Sequence, residues 1–385
     1  MSQAALDALP VVAAALLAAA AVSFLLTPLT IRYAAQLGAI DVPNDERRVH
    51  ARPIPRTGGI AVAAAFVLVG LGGLAVNAVF QFAQLRAVPA QHIVALFVGV
   101  SVGAFLGYLD DRLELRARWQ FIFQFVLAGI AIWFGISIDR LPNPFGDEAI
   151  LLSDFAAMAA TTLWIVGMLN SVNFIDGLDG LLAGVALIAV STLGIISLQD
   201  PNQSIVAVLC ALLAGALLGF LPYNFHPARV FIGTAGVFAV GYALAVLSVL
   251  GTAKVALALL VLGVPIIDTF WIIVRRVSSG RSPFSADRGH FHHRLLDLGL
   301  SHRQAVLVIY GLCVILALAG LFLSGRGQIS VFLIVVIVGG VLLYLLTRRA
   351  GEEIVGAQED DAQTDASEED KPAGHTEKAA VPDRR

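Results

Sequence analysis

Two adjacent carboxylates, Asp110 and Asp111, stand at the end of an apolar stretch and are followed by a basic segment. Neighbouring carboxylates repel each other, so such a pair is costly unless a cation or a proton is shared between them. Mg²⁺ is commonly bound through one or two carboxylates together with substrate phosphates. The pair is therefore a candidate metal or acid–base site, and a helix cap that touches the basic segment is the alternative.

Three further oxygen donors, Asn173, Asp176 and Asp179, recur at every third position between two later apolar stretches. In a helical turn this spacing places neighbours on one face. Gly177 and Gly180 allow a backbone or a ligand to approach closely. Packing between apolar stretches does not require three such groups, so the pattern favours a polar functional site.

Two loops rich in arginine and histidine accompany these acids. Arginine recognises phosphate by forked hydrogen bonds. The three histidines of the second loop could bind zinc, although no cysteine or spaced fourth ligand accompanies them; contact with phosphates or acid–base chemistry is the alternative. For the first loop, the alternative is an ordinary basic loop of a membrane protein. The candidate residues are Arg47, His50, Arg56, Arg275, Arg276, His290, His292 and His293.

Long apolar segments must position all of these groups. The chain has 385 residues, of which 58% are hydrophobic and 14% charged; soluble domains have about 45–50% apolar and about a quarter charged residues. The apolar residues fall in blocks of roughly 20, enough for a helix to cross a bilayer core. This predicts an all-α polytopic membrane protein with about eleven transmembrane helices. The predicted spans are about 8–28, 58–80, 91–109, 119–138, 155–172, 179–198, 203–221, 231–250, 253–274, 304–323 and 328–347.

The distribution of basic residues predicts the orientation of these spans. Alternate loops carry 17 Lys and Arg on one side against 4 on the other. Basic loops stay in the cytoplasm, so the N-terminus is predicted outside and the C-terminus inside. All the acid and histidine clusters then fall on the cytoplasmic side. The membrane domain is predicted over 1–349, and residues 350–385, with 11 acidic and 4 basic residues, have the composition of a disordered acidic cytoplasmic tail.

These clusters, in this order and spacing, resemble the polyprenyl-phosphate N-acetylhexosamine-1-phosphate transferases, whose superfamily also contains phospho-N-acetylmuramoyl-pentapeptide transferase. The resemblance runs from about Asp41 to Gly299. It rests on four motifs: the loop that ends Pro53-Ile-Pro-Arg-Thr-Gly-Gly59, then Gly107-Tyr-Leu-Asp-Asp111, Asn173-Phe-Ile-Asp-Gly-Leu-Asp-Gly180 and His290-Phe-His-His293.

The resemblance implies an enzyme of the cytoplasmic membrane that moves a sugar-1-phosphate from a UDP-N-acetylhexosamine to a polyprenyl phosphate and releases UMP. N-acetylglucosamine is the expected sugar, undecaprenyl or decaprenyl phosphate the expected acceptor, and Mg²⁺ the expected cofactor. The reaction would be the first step of cell-envelope polysaccharide synthesis. The lipid bilayer is a further partner, no nucleic acid is expected, and a homodimer is left open.

The resemblance also implies roles for individual residues. The catalytic residues are Asp110, Asp111, Asp176, His290, His292 and His293. The residues that bind the nucleotide or substrate are Arg47, His50, Arg56, Asn173, Asp179, Phe231, Arg275 and Arg276, with Phe231 beside the uracil. The metal ligands are Asn173, Asp176 and Asp111.

One position departs from the family pattern. The family's Phe-x-Gly-Asp-x-Gly stretch offers an aspartate to the metal, but this chain has Thr234 at that position. A hydroxyl is a neutral and poorer magnesium ligand than a carboxylate. The sequence thus leaves open a weakened or inactive substrate-binding homologue. A transporter or lipid flippase is less favoured, because the acids gather at one face instead of the midplane.

Overall fold

The computed structural model describes residues 3–41, 53–80, 88–141, 143, 149–200, 202–251, 258, 263, 276, 291–323, 327, 328 and 330–341. The chain divides into two compact units, Met1–Ile337 and Val338–Arg385. Of the second unit the structure describes residues 338–341, which are helical. The predicted domain boundary at residue 349 and the acidic tail lie outside the described residues and stay predictions.

The first unit is built from helices. Their bounds are α1 (Gln3–Leu37), α2 (Gly58–Phe80), α3 (Ala90–Leu113), α4 (Ala117–Trp133), α5 (Asp154–Ile175), α6 (Leu181–Gln199), α7 (Ser204–Asn224), α8 (Gly233–Leu250), α9 (Phe291–Asp297) and α10 (His302–Phe322). Two short antiparallel pairs join β1 (Ile40–Asp41) to β2 (Ile54–Pro55), and β3 (Arg140–Leu141) to β4 (Ile150–Leu151).

Within the described residues, eight helices are long and apolar enough to cross a membrane, namely α1 (from Ala5), α2, α3, α5, α6, α7, α8 and α10. Two shorter apolar helices are Ala117–Trp133 and Ser330–Val341. The prediction of an all-α polytopic membrane protein is therefore confirmed. The count of eleven spans and the orientation of the termini stay predictions, since most of the predicted span 253–274 lies outside the described residues.

Helices α7 and α8 form the centre of the first unit. Nearly all of their side chains are buried, whereas α1 packs along α7 and leaves most of its own residues exposed. Large side chains such as Phe220 and Tyr242 fill the interior. The Tyr242 hydroxyl donates a hydrogen bond to the Ala95 carbonyl at 3.0 Å, which satisfies a polar group inside an apolar core. Exposed apolar residues on the outer helices suit a lipid environment.

Close backbone contacts fix the end of the bundle that carries the polar motifs. A Cβ atom on Gly107 would lie 2.3 Å from the Thr234 carbonyl oxygen, so only glycine lets α3 come this near to the start of α8. The segment before α2 is held in the same place, because the Gly58 and Gly59 amides donate to the Phe231 and Ile232 carbonyls at 3.0 and 2.8 Å. The sequence motifs thus meet through backbone contacts.

Candidate functional site

A cavity of about 1130 Å³ opens where the helix ends converge in the first unit. Its wall is formed by the C-terminal ends of α3, α5 and α7, by the turn before α6 and by the N-terminal ends of α4, α8 and α10. Polar lining residues include Arg56, Asp110, Asp111, Gln120, Asn173, Asp176, Asp179, Asn224, His226, Arg229, Thr234 and His302. One end of a bundle of apolar helices therefore carries a large polar site.

Asp111 joins two helices through its carboxylate. Its Oδ1 accepts a hydrogen bond from the Thr234 amide, and its Oδ2 accepts one from the Ala235 amide, both at 3.0 Å. Amides in the first turn of a helix have no partner within that helix, and the positive end of the helix dipole favours an anion. Asp111 therefore caps α8 from α3, and its remaining lone pairs are left for a ligand.

Asp110 is held differently. Its Oδ2 accepts hydrogen bonds from the Gln120 side-chain amide at 2.8 Å and from the Thr234 hydroxyl at 2.9 Å. Its Oδ1 is buried and has no hydrogen-bond partner among the described residues. A buried acceptor without a donor is costly. This oxygen therefore needs a proton or a cation to offset the cost of its burial.

Asp176 follows the last residue of α5 and lies close enough to Asp111 for their charges to interact. Burial, and then the nearby Asp111 carboxylate, raise the pKa of Asp176 to about 7, although the charge of Arg56 acts in the opposite direction. Crowding of carboxylates in a partly desolvated place favours a bound cation or a retained proton. Asp110, Asp111 and Asp176 are called the carboxylate cluster below.

Arg56 supplies positive charge to this cluster. Its guanidinium donates to Asp41 Oδ1 at 2.6 Å, across the pair of strands β1 and β2. Its carbonyl oxygen would lie only 2.4 Å from a Cβ atom on Gly233, and Gly233 has a φ of +67°. Both constraints require glycine at residue 233. Arg56 is thus fixed by a close backbone contact and by an ion pair.

A second group of polar side chains lies on the same wall. Asp179 Oδ2 accepts hydrogen bonds from His226 Nδ1 at 2.7 Å and from the Ala228 amide at 3.0 Å. The Asp179 amide donates to His302 Nε2 at 2.9 Å. The His226 and His302 rings are stacked, with centroids 4.3 Å apart and planes 17° from parallel. Asp179, His226 and His302 are called the imidazole cluster below.

The structure brings most of the predicted site residues that it describes to this one cavity. They are Arg56, Asp110, Asp111, Asn173, Asp176, Asp179 and Phe231. Arg276 is described as a single buried residue and is not among those that line the cavity. Arg47, His50, Arg275 and His290 lie outside the described residues, and for His292 and His293 only the helical backbone of α9 is described.

Besides Thr234, three side chains that hydrogen-bond to the predicted aspartates are not themselves among the predicted site residues. Gln120 stands in the first turn of α4, and a lone glutamine there gives no signal in the sequence. His226 and His302 are single histidines separated by 76 positions, so neither forms a local cluster. One signal is present: Ser301 and Gln304 form a capping box that starts α10 at His302, which places this histidine at a helix end.

Fold and site together define a polytopic membrane protein with an acidic site at one end of its helices. The chain belongs to glycosyl transferase family 4. The family match covers residues 93–252, which include the acid motifs of α3 and α5 and the start of α8.

Full-length relatives extend this match. The chain is 37% identical over 322 residues to a probable undecaprenyl-phosphate N-acetylglucosaminyl 1-phosphate transferase of Bacillus subtilis, which covers 82% of this chain and 86% of the relative. It is 34% identical to a decaprenyl-phosphate N-acetylglucosaminephosphotransferase of Mycobacterium tuberculosis, over 88% of this chain and 89% of the relative. A phospho-N-acetylmuramoyl-pentapeptide-transferase of Geobacillus kaustophilus is 32% identical over 80% of this chain and 98% of its own length.

Proposed function

We propose that the protein transfers N-acetylglucosamine-1-phosphate from UDP-N-acetylglucosamine to a polyprenyl phosphate, as the first step in the synthesis of a cell-envelope polysaccharide. The observation that carries the proposal is the carboxylate cluster beside Arg56 in a cavity at the end of membrane-spanning helices. Phosphoryl transfer needs positioned charge more than covalent chemistry, and this cavity offers both signs of charge. Two of the relatives are named for the same transfer to undecaprenyl or decaprenyl phosphate.

The reaction has a simple atom balance. An oxygen of the polyprenyl phosphate attacks the β-phosphorus of the UDP-sugar, the bond between that phosphorus and the bridging oxygen breaks, and UMP leaves with the oxygen. A proton that remains on the attacking phosphate must go to a base. Asp110 suits this role better than Asp111, since Asp110 Oδ1 is unpartnered among the described residues whereas both Asp111 oxygens accept helix amides.

The residues present fit a divalent cation. Asp176, Asp111 and Asn173 offer the oxygen donors that Mg²⁺ prefers. Burial, and then the nearby Asp111 carboxylate, raise the pKa of Asp176, and a cation would offset both effects. Bound Mg²⁺ would neutralise charge on the diphosphate and on the leaving UMP. Thr234 does not add a carboxylate to this set; it orients Asp110 through its hydroxyl and Asp111 through its amide.

The cytoplasmic membrane, with the cavity facing the cytoplasm and the N-terminus outside, is part of the proposal. The basic loops support this orientation. Both α8 and α10 begin at the cavity. The predicted span 253–274 lies between them in the sequence and stays a prediction.

The decisive measurement is UMP release by the purified protein with UDP-N-acetylglucosamine, polyprenyl phosphate and Mg²⁺. We expect turnover by the wild type and at least about a hundredfold loss in Asp176→Asn, because a charged ligand is replaced by a neutral one. Asp154→Asn is the matched control: Asp154 is exposed at the start of α5, roughly 33 Å along the helix from Asp176, and should keep wild-type activity.

Three outcomes would revise the proposal. Turnover with another UDP-sugar, but not with UDP-N-acetylglucosamine, would change the sugar alone. No UMP release from any UDP-sugar, by a protein that is folded in detergent, would reject the transferase function. Equal activity of Asp176→Asn and Asp154→Asn would remove the carboxylate cluster from the catalytic site.

A further inference from the structure

We infer that His302, at the first turn of α10, is a positioning residue that fixes Asp179 and His226 in the wall of the nucleotide-sugar site. The inference rests on the proposed function for its substrate. Its basis is a set of contacts that connects three segments distant in sequence: the turn before α6, the loop after α7 and the start of α10.

The start of α10 is itself firmly placed. The Ser301 hydroxyl accepts a hydrogen bond from the Gln304 amide, and the Gln304 side chain accepts one from the Ser301 amide at 2.8 Å. This reciprocal pair satisfies two of the free amides at the start of the helix. His302 and Arg303 therefore stand at a defined helix end, and Arg303 Nε donates to the His226 carbonyl at 3.0 Å.

The hydrogen bonds show which ring nitrogens of the imidazole cluster carry a proton. The Asp179 amide donates to His302 Nε2, so this nitrogen carries no proton. The Asp179 carboxylate accepts from His226 Nδ1, so that nitrogen carries one. His226 Nε2 and Asp179 Oδ1 then remain without a hydrogen-bond partner among the described residues, on two residues that line the cavity. The contacts that hold the imidazole cluster together thus leave two polar atoms for a ligand.

The same three residues offer ligand atoms within 4.8 Å of one another, as a metal site would. The geometry favours an imidazole cluster held by hydrogen bonds over a metal site. The lone pair of His302 Nε2 already points at the Asp179 amide, and ring nitrogens bind a metal in the plane of the ring. Two rings stacked 17° from parallel do not direct their in-plane lone pairs at one point.

The test compares two replacements of His302 in the full-length protein. His302→Phe keeps a ring that can stack on His226 but removes the acceptor for the Asp179 amide. His302→Gln removes the ring but has a side-chain carbonyl oxygen that can accept from the Asp179 amide in place of His302 Nε2. His92→Phe is the control, because His92 is a partly buried histidine at the opposite end of α3 from the cavity.

We expect His302→Phe to raise the KM for the UDP-sugar about tenfold, since the partly buried Asp179 amide loses its acceptor. The KM for polyprenyl phosphate and kcat should stay within about threefold. His302→Gln should restore the KM for the UDP-sugar, and His92→Phe should leave all three parameters unchanged. A general loss of folding would lower kcat and both affinities together, so this split separates positioning from a purely structural role.

Four results would overturn the inference: an unchanged KM for the UDP-sugar in His302→Phe, an equal rise in His302→Gln, a parallel loss of every parameter, or one equivalent of bound zinc that His302→Phe releases. The Kd for UDP is also measured for the same variants by calorimetry, which does not depend on turnover. If the wild type binds UDP but releases no UMP, the transferase function fails, and a Kd that is weakened in His302→Phe alone still supports the positioning role.

Discussion

The carboxylate cluster and the imidazole cluster share one cavity wall, but they are stabilised in opposite ways. In the carboxylate cluster a buried oxygen of Asp110 has no partner among the described residues, and burial together with the nearby Asp111 carboxylate raises the pKa of Asp176 to about 7. In the imidazole cluster the Asp179 carboxylate and amide and both histidines have defined partners, and the two atoms left for a ligand, His226 Nε2 and Asp179 Oδ1, are not among the buried atoms without a partner. A site that must bind and release charge keeps unsatisfied groups, whereas a site that must orient a ligand fixes its own.

This contrast predicts that the two clusters respond to different changes. The carboxylate cluster should be sensitive to the loss of charge, even when shape is kept. The imidazole cluster should be sensitive to the loss of geometry, even when no charge is changed. Five substitutions test the contrast, in order of decreasing expected effect.

Asp110→Asn should have the largest effect. It keeps the size of the side chain but removes the basic oxygen, and a general base contributes about 10²–10⁴-fold to a rate. We expect kcat for UMP release to fall within that range, while UDP binding measured by calorimetry stays near that of the wild type. A comparable loss of UDP affinity would show that the two clusters act as one.

Gly233→Ala should be the most damaging change to stability. Gly233 has a φ of +67°, and a Cβ atom there would lie 2.4 Å from the Arg56 carbonyl and 2.7 Å from Asp111 Oδ2. A strained residue costs about 1–3 kcal/mol before any collision. Thermal unfolding in detergent should show a clearly lower Tm than the wild type.

Gly180→Ala offers the corresponding change beside the imidazole cluster. Its φ is +79°, but the nearest atom to a Cβ would be a Phe225 side-chain carbon at 3.0 Å, which can move. Its loss of Tm should therefore be smaller than that of Gly233→Ala. Gly129→Ala, which meets nothing within 4 Å in α4, should be neutral or slightly stabilising. Equal losses at Gly233 and Gly180 would contradict this ranking.

Thr234→Val tests the role of the residue that departs from the family pattern. Valine has the shape of threonine without the hydroxyl that donates to Asp110. Hydrogen bonds to charged groups contribute about 1.5–3 kcal/mol, so we expect kcat to fall about tenfold or more. Thr234→Ser keeps the donor and should stay within about threefold of the wild type. If both variants match the wild type, Thr234 does not orient Asp110.

Gln124→Leu should have the smallest effect. Gln124 and Asn170 exchange side-chain hydrogen bonds at 2.7 and 3.3 Å between α4 and α5, one turn away from Gln120 and Asn173. Hydrogen bonds between membrane helices contribute about 0.6 kcal/mol on average. The Tm should fall slightly and kcat modestly, with no change in UDP affinity. A large loss would show that this pair sets the position of Gln120.

The helices and the carboxylate cluster can be predicted from sequence because their signals are local. Apolar blocks reveal membrane helices wherever they occur, and α2 begins and ends at the bounds of the predicted span 58–80. Asp110 and Asp111 are neighbours, and Asp176 belongs to a motif of eight residues. Such groups are recognisable before any tertiary contact is known.

The imidazole cluster cannot be predicted in this way. The Asp179 amide and His302 Nε2 are 123 positions apart, and a single histidine in an apolar chain has many structural uses. The effect of Thr234 is also hidden: the sequence shows a missing carboxylate, but only the fold shows that its hydroxyl and amide contact two different acids.

The cramped backbone at Gly233 has a consequence for resistance to inhibitors. A compound that filled the cavity and rested against this backbone would depend on a residue that has no tolerated replacement, since any side chain meets Arg56 and Asp111. Variants that escape such a compound would have to arise at other residues of the cavity wall. Contacts with Gly233 would therefore be the most durable part of a drug directed at this protein.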